Sequence, residues 1–413
     1  MTQHISELLS ARRVLLLQGP MGSFFSLLAK WLEGHQIDVL KINFNGGDRF
    51  FYPNKSGVFD YTGGLEDFAT WLKKFLEQQN IEAIVCFGDC RKYHRIAKQI
   101  TEQSSIQFFA FEEGYIRPDY ITFEKGGVNS FSSFSQQQYP QTEKQPCIPV
   151  HNQYGKMVCS AILYYLFGAL SRAHYPLYQH HRGLSTRQEL AYSLVSIWRR
   201  QKNALVEPRR FKRFIQDYDK QYYIFALQVH NDSQIRVHSD LGCMEKYIEQ
   251  VVENFSQYAD PQQHLVFKHH PMDRGYRHYG ALLQELAQRF AVTGRIHYFC
   301  DIHLPTLLKH SLGMVTVNST TVIQALYHKI PVKVLGNALY NLPRLTNQHR
   351  LDQFWKTPGV VDHEYFLQFR HNLIAYSQLN GSFYGMSPWM KSEYPKITTS
   401  AMKYKNNPNK LKV

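Results

Sequence analysis

At 413 residues, 44% apolar and 14% aromatic, the chain has the composition of a folded protein of about two domains, which excludes wholesale disorder. Its formal charge of +14 is unevenly placed: residues 151–213 hold eleven Lys or Arg against two Glu, residues 391–413 six Lys against one Glu, and the rest is neutral. Such localised basic stretches suit an anionic partner (nucleic acid, membrane phosphate or a charged sugar chain), or are a solvated loop and tail.

The N-terminal part alternates apolar runs with helical patterns. "RVLLLQGP" (13–20) reads as a buried strand and 23–34 as an amphipathic helix closed by a glycine. Strands follow at 37–44, 81–89 and 106–114, with helices at 65–79 and 91–102 between them. Near-continuous apolar strands separated by helices predict a parallel sheet covered on both faces.

Residues 129–153, rich in Ser, Gln and Pro, read as a loop or lid. "MVCSAILYYLFGALS" (157–171) is an apolar run too short for a comfortable membrane span, so it is either a buried helix or one lying on a bilayer surface. The basic residues come next: Arg172, Arg182, Arg187, Arg199, Arg200, Lys202, Arg209, Arg210, Lys212 and Arg213.

After residue 220 the strand–helix pattern restarts. Strands are predicted at 222–228, 264–271, 295–301, 312–320 and 330–336, with helices at 240–257 and 276–290. The reading is α/β: two Rossmann-like domains, 1–128 and 220–345, facing a central cleft in a GT-B-like arrangement. A basic helical insert (129–219) lies between them, and C-terminal helices with a Lys-rich tail (346–413) follow.

Ligands of open α/β sheets bind outside the carboxyl ends of the strands. The predicted ends here are polar or glycine-rich: Gln18-Gly19, Gly88-Asp89, Glu112-Glu113-Gly114, Gln228 with Asp232 and Ser233, His269-His270-Pro271, and Asn318-Ser319-Thr320-Thr321. Adjacent residues of an extended segment point to opposite sides. One of Glu112 and Glu113 should therefore enter the cleft while the other ties down a loop, with Gly114 permitting the turn behind them. A carboxylate there can act as a base or as a nucleophile toward an anomeric carbon. It can equally be a strand-end cap. His270 can donate to a phosphate as its bond to a sugar breaks, and the "NSTT" hydroxyls and amides can hold an anion or simply cap a helix.

No GxxxxGK[ST], GxGxxG, HExxH or paired CxxC is present. "DYD" (217–219) precedes a strand instead of ending one, so neither a metal nor a cofactor is expected. The N-terminus lacks a signal-peptide layout, and Cys86, Cys90, Cys147, Cys159, Cys243 and Cys300 form no CxxC, which fits reduced thiols in a cytoplasmic protein. The insert contains no recognisable RNA or DNA module, so no nucleic-acid partner is expected.

Taken together, "QGPMG", "EEGYIRPDYIT", "LQVHNDSQI", "FKHHPMDRG" and "VNSTTVIQAL" make residues 13–345 resemble the bacterial capsule-synthesis glycosyltransferases of the KpsS/LipB type. The resemblance implies transfer of Kdo (3-deoxy-D-manno-oct-2-ulosonic acid) from CMP-Kdo to lysophosphatidylglycerol. It also implies a β linkage made with retention, a peripheral place on the inner face of the inner membrane, and other capsule synthesis and export proteins as partners. Related CMP-sugar transferases, polysialyltransferases among them, carry a similar trio of acidic-acidic-Gly, His-Pro and Ser/Thr. The trio implies Glu113 as catalytic carboxylate, with Glu112 next. His269, His270, Pro271, Asn318, Ser319, Thr320, Thr321, Gln228, Asp232 and Ser233 would hold the CMP-sugar. Gln18, Gly19, Gly114 and Arg117 would lie on the acceptor side. The second acidic position is Asp more often in polysialyltransferases, so Glu113 places its reactive oxygen differently, which leaves both retention and inversion open. The alternatives are another CMP-releasing transferase, of sialic acid or glycerol phosphate, and a non-catalytic basic membrane- or nucleic-acid-binding protein.

Overall fold

A computed structural model describes residues 2–53, 56–134, 147–150, 153–180, 183, 186–230, 241–385 and 387–391. The first half runs α1 (Gln3–Leu8), β1 (Arg13–Leu16), α2 (Phe24–Glu33), β2 (Asp38–Asn43), α3 (Gly46–Phe51), β3 (Val58–Asp60), α4 (Phe68–Gln78), β4 (Ala83–Phe87), α5 (Lys92–Thr101), β5 (Gln107–Glu113) and β6 (Tyr120–Lys125). Two helices follow, α6 (Tyr154–Leu170) and α7 (Thr186–Tyr218). The second half runs β7 (Tyr222–Ala226), α8 (Met244–Tyr258), β8 (His264–Lys268), α9 (Gly280–Arg289), β9 (Ile296–Phe299), α10 (Leu304–Lys309), β10 (Gly313–Thr316), α11 (Thr321–Tyr327) and β11 (Val332–Val334). Then come α12 (Leu351–Phe354), α13 (His363–Ser377) and β12 (Gln378–Asn380).

Each predicted strand is present. The first sheet has the order β12-β6-β5-β4-β1-β2-β3 and the second β11-β10-β7-β8-β9. The second sheet is parallel throughout, and its central β7 is fully buried because helices cover both faces. These are the two Rossmann-like units of a GT-B-like architecture. The first sheet also has strands that the sequence reading did not list. β3 pairs in parallel with β2, whereas β6 pairs antiparallel with β5 and β12 antiparallel with β6. Residues 378–380 thus return from the far end of the chain to close the edge of the first sheet. One buried apolar cluster contains Tyr115, Ile116 and Tyr120 from the first half and Ile224, Val266 and Leu326 from the second.

The strand order puts a switch point in each sheet. From β1 the chain winds outward through β2 and β3, then crosses back so that β4 lies on the other side of β1. From β7 it winds through β8 and β9, then crosses so that β10 lies on the other side of β7. Loops leaving β1 and β4, and those leaving β7 and β10, diverge to leave a crevice at each carboxyl edge.

The apolar run at 157–171 belongs to α6, which is neither a core helix nor wholly detached. Gly46 and Gly47 let it approach α3 closely: a Cβ on Gly46 would stand 2.2 Å from the Phe167 carbonyl oxygen, and one on Gly47 2.6 Å from the Tyr164 ring. Only Tyr164 is buried in α6. Tyr154, Val158, Ile162, Leu166 and Leu170, four residues apart, form an exposed apolar stripe, Ile162 being 62% and Leu170 71% accessible. No helix among the described residues is long and apolar enough to cross a membrane.

Candidate active site

At the first switch point, Arg91, just beyond β4, donates from Nη1 to Gln18 Oε1 and to the Gly19 carbonyl, each at 3.2 Å. Gln18 is buried, and its Nε2 lies 2.9 Å from the Tyr164 hydroxyl and 3.2 Å from Asp48 Oδ2. Tyr164 in turn donates to Asp48 Oδ1 and accepts from Asn45 Nδ2. Gln18, expected on the acceptor side, is therefore the hub that ties α3 and α6 to the end of β1.

The acidic pair projects past this crevice. Phe111 of β5 lies opposite Phe87, the last residue of β4, so Glu112 and Glu113 extend beyond the neighbouring parallel strand. They still pair with Thr122 and Ile121 of β6, which keeps the segment extended and sends the two side chains opposite ways. Glu112 is half-buried, and its Oε1 accepts from the Glu113 backbone N–H at 3.0 Å. Burial pushes its carboxyl up to about 7; the Glu113 N–H and Arg91 act against that push, while the charges of Glu113 and Asp89 add to it. Glu113 is exposed. Gly114 is obligatory, because a Cβ there would meet the Tyr120 carbonyl oxygen at 2.0 Å. Arg117 Nε donates to the Gly114 carbonyl at 3.0 Å, folding the loop back on itself.

At the second switch point, Gln228 and Asn318 face each other across the ends of β7 and β10. Gln228 Nε2 donates to Asn318 Oδ1 at 2.9 Å, and the Asn318 backbone N–H donates to Gln228 Oε1 at 3.1 Å. Ser319 Oγ accepts from the Thr321 hydroxyl (2.9 Å) and backbone N–H (3.3 Å), and the Tyr340 hydroxyl donates to the Ser319 carbonyl. Thr320 precedes α11 without a side-chain capping bond. Asp232 and Ser233 lie outside the described residues, as do Gln234, Arg182, residues 135–146 of the expected lid and residues 392–413 of the basic tail.

His269 and His270 leave β8 in opposite directions. His269 is buried, with Nδ1 2.9 Å from the Tyr298 hydroxyl. His270 Nδ1 accepts from the Met272 backbone N–H at 3.2 Å, which leaves the ring proton on Nε2. Burial, reinforced by the Arg117 guanidinium, lowers the His270 imidazole to about 4 and keeps it neutral. Arg117, in the loop between β5 and β6, is thus close enough to His270, just past β8, for its charge to act there. Tyr115 and Ile116, next to the acidic pair, share a buried cluster with Ile224 and Val266 of the second sheet, so the acidic loop packs against that sheet.

Two rim residues carried no sequence signal of their own. Arg91 stands four residues beyond the last residue of β4 in "GDCRK", a run polar enough to pass for any loop. Tyr384 lies 271 positions from Glu113, yet feels its carboxylate: burial and then Glu113 raise the Tyr384 hydroxyl to about 12. Asp217 and Asp219 of "DYD" lie at the end of α7, where Asp219 pairs with His310 on the surface.

Residues 82–384 match the family model described as capsule polysaccharide biosynthesis protein. Over 385 residues the chain is 40% identical to the capsule polysaccharide export protein KpsS of Escherichia coli, covering 92% of this chain and 99% of that protein. Over 386 residues it is 39% identical to the capsule polysaccharide modification protein LipB of Neisseria meningitidis serogroup A, covering 91% and 92%. Among solved structures it aligns with the KpsC β-Kdo 2,7 transferase of Thermosulfurimonas dismutans at 13% identity and a TM-score of 0.39, covering 87% and 88%.

Proposed function

Because the chain belongs to the capsule polysaccharide biosynthesis protein family, we propose that it is a glycosyltransferase moving Kdo from CMP-Kdo to lysophosphatidylglycerol, with retention, at the start of a poly-Kdo linker. The observation that carries this reading is the meeting of two unlike rims. One sheet offers carboxylates at its carboxyl edge, the other a neutral imidazole and a Ser/Thr-rich helix start, and the loop after the carboxylates packs Tyr115 and Ile116 against the second sheet.

In this reading the second sheet holds the donor. His270 donates from Nε2 to the phosphate oxygen that takes the electron pair as its bond to the anomeric carbon breaks, and CMP leaves. A neutral donor in a water-poor site acts on developing charge without first losing a proton. Asn318, Ser319, Thr320 and Thr321 hold the nucleotide, and His269 and Pro271 set the position of His270. Asp232 and Ser233 belong to the same proposed site. Glu113, exposed at the rim, is the carboxylate that acts on the sugar, and Glu112 positions it through the bond between its Oε1 and the Glu113 N–H. With retention, Glu113 first replaces CMP on the anomeric carbon; the acceptor hydroxyl then displaces the Glu113 carboxylate, and its proton passes to water.

A lipid acceptor requires residence at a membrane, and the insert suits an anionic cytoplasmic leaflet. α7 also exposes Leu194, Ile197, Trp198 and Leu205. Arg200 joins the two helices, with its guanidinium 5.3 Å from the centre of the Tyr154 ring. Arg209, Lys212 and Arg213 are exposed beside them. Arg199 and Arg210 serve α7 differently: they donate to the carbonyls of Arg274 and Tyr298 and bind the helix to the second sheet.

The test is mass spectrometry of products from the purified protein with CMP-Kdo and a fluorescent lysophosphatidylglycerol, run in parallel with CMP-sialic acid. A mass increase of one or more Kdo residues supports the reading. Transfer from CMP-sialic acid alone, or from neither donor, sinks it.

A further inference from the structure

A cavity of about 220 Å³ lies between α7 and the carboxyl edge of β8 and β9, lined among others by Trp198, Arg199, Lys202, His269, Arg274 and Arg277. His270, Gln228, Asn318 and Ser319 are not among its walls. Of the described residues assigned to the proposed donor site, it touches only His269. We propose that it binds a phosphate ester at a site separate from that donor site.

Three features carry this inference. First, the cationic walls are held in place before any ligand arrives. Arg274 makes a two-pronged pair with Asp301 and reaches Ser196, while Arg199 donates to the carbonyls of Arg274 and Arg277. Second, charge is left over. Asp301 is engaged by Arg274 and Asn203, and Glu207 by the backbone N–H groups of Cys300 and Asp301. Among the described residues no carboxylate pairs with Lys202 or Arg277, both exposed.

Third, His269 lines the cavity at only 2% accessibility, and its Nδ1 lies 2.9 Å from the Tyr298 hydroxyl, so the inner wall is fixed as well. Guanidinium and ammonium donors converging on one space suit the tetrahedral oxygens of a phosphate. The volume leaves room for an organic substituent, and Trp198 offers an apolar wall to it.

The test is calorimetric titration of the full chain with inorganic phosphate, with glycerol 3-phosphate and with CMP, comparing the parent with the Lys202→Ala/Arg277→Ala double variant. Both side chains are exposed, and circular dichroism checks the fold. Saturable binding of glycerol 3-phosphate, weakened at least ~10-fold in the variant with CMP binding unchanged, is expected. Absence of phosphate-ester binding by the parent, or equal binding by the variant, overturns the proposal. So does a parallel loss of CMP affinity, because the cavity would then be part of the donor pocket. Sedimentation with phosphatidylglycerol vesicles separates the sources: a variant that also leaves the vesicles marks a lipid headgroup, and one that does not marks a soluble ester. None of these readouts requires transferase activity.

Discussion

Gln228 and Asn318 exchange two hydrogen bonds across the point where the second sheet reverses its winding. Strands β7 and β10 are neighbours there, but the loops that leave them part, and the paired side chains form the floor of the crevice. The corresponding position in the first sheet is held by Gln18 and Arg91. The same topology has been given the same remedy twice: an amide that satisfies the polar groups of two diverging loops.

Gln228→Leu removes both of these bonds to the buried Asn318. A loss of about 1–3 kcal/mol in chemical denaturation is expected, together with weaker CMP binding. A variant as stable as the parent would mean that water replaces the amide.

His270→Ala should lower transfer at least ~100-fold with the fold retained, the scale of losing one preorganised donor at a developing charge. Because the imidazole is lowered to about 4, it is already neutral across pH 5–8. The rate profile of the parent should therefore lack an inflection near the ordinary histidine value. Normal turnover in the variant, with CMP bound normally, would assign His270 a purely structural part.

Glu113→Gln should abolish transfer and leave CMP affinity intact, because the proposed mechanism has the carboxylate act on the sugar. Full activity in that variant would remove Glu113 from the mechanism. Loss in Glu112→Gln alone would exchange the two roles.

Glu112 carries a pH signature of its own. Its folded value of about 7 lies above the ordinary 4.5, so folding favours the protonated form. Below pH 4.5 both states are protonated and nothing is lost. As pH rises toward 7 and beyond, the folded state becomes less stable by at most about 3 kcal/mol, less in so far as water reaches this half-buried group. Glu112→Gln removes that slope, so its melting temperature relative to the parent should climb from pH 5 to pH 8. A constant difference would contradict the raised value.

Replacing Arg209, Lys212 and Arg213 with Gln should weaken sedimentation with phosphatidylglycerol vesicles, each charge contributing ~1 kcal/mol near such a surface. Leu166→Ser and Leu170→Ser should weaken it further and less dependently on salt. Activity on a short, water-soluble acceptor should survive both changes. Vesicle binding unaltered by either would make the insert a solvated surface.

The local pattern of the sequence was enough to place the strands and their ends. Runs such as "AIVCF" and "FFAF" are apolar on both faces, as only a strand covered by helices on both sides requires, and the polar residues that follow them lie at the rims. From this came the two α/β units, the acidic pair with its opposed side chains and the His-Pro step. What the pattern could not contain was any relation between segments far apart in the chain. β12 completes the first sheet only because residues 378–380 return to pair with β6, and Tyr384 reaches Glu113 by the same return. Hydrophobicity likewise marked 157–171 as apolar without saying which side would be covered. Gly46 and Gly47 bring α3 against one face of α6, and the opposite stripe stays open. Burial and ionisation belong to the neighbours a residue acquires in space: Glu112 is raised because folding buries it and sets the charges of Glu113 and Asp89 beside it, against the pull of Arg91.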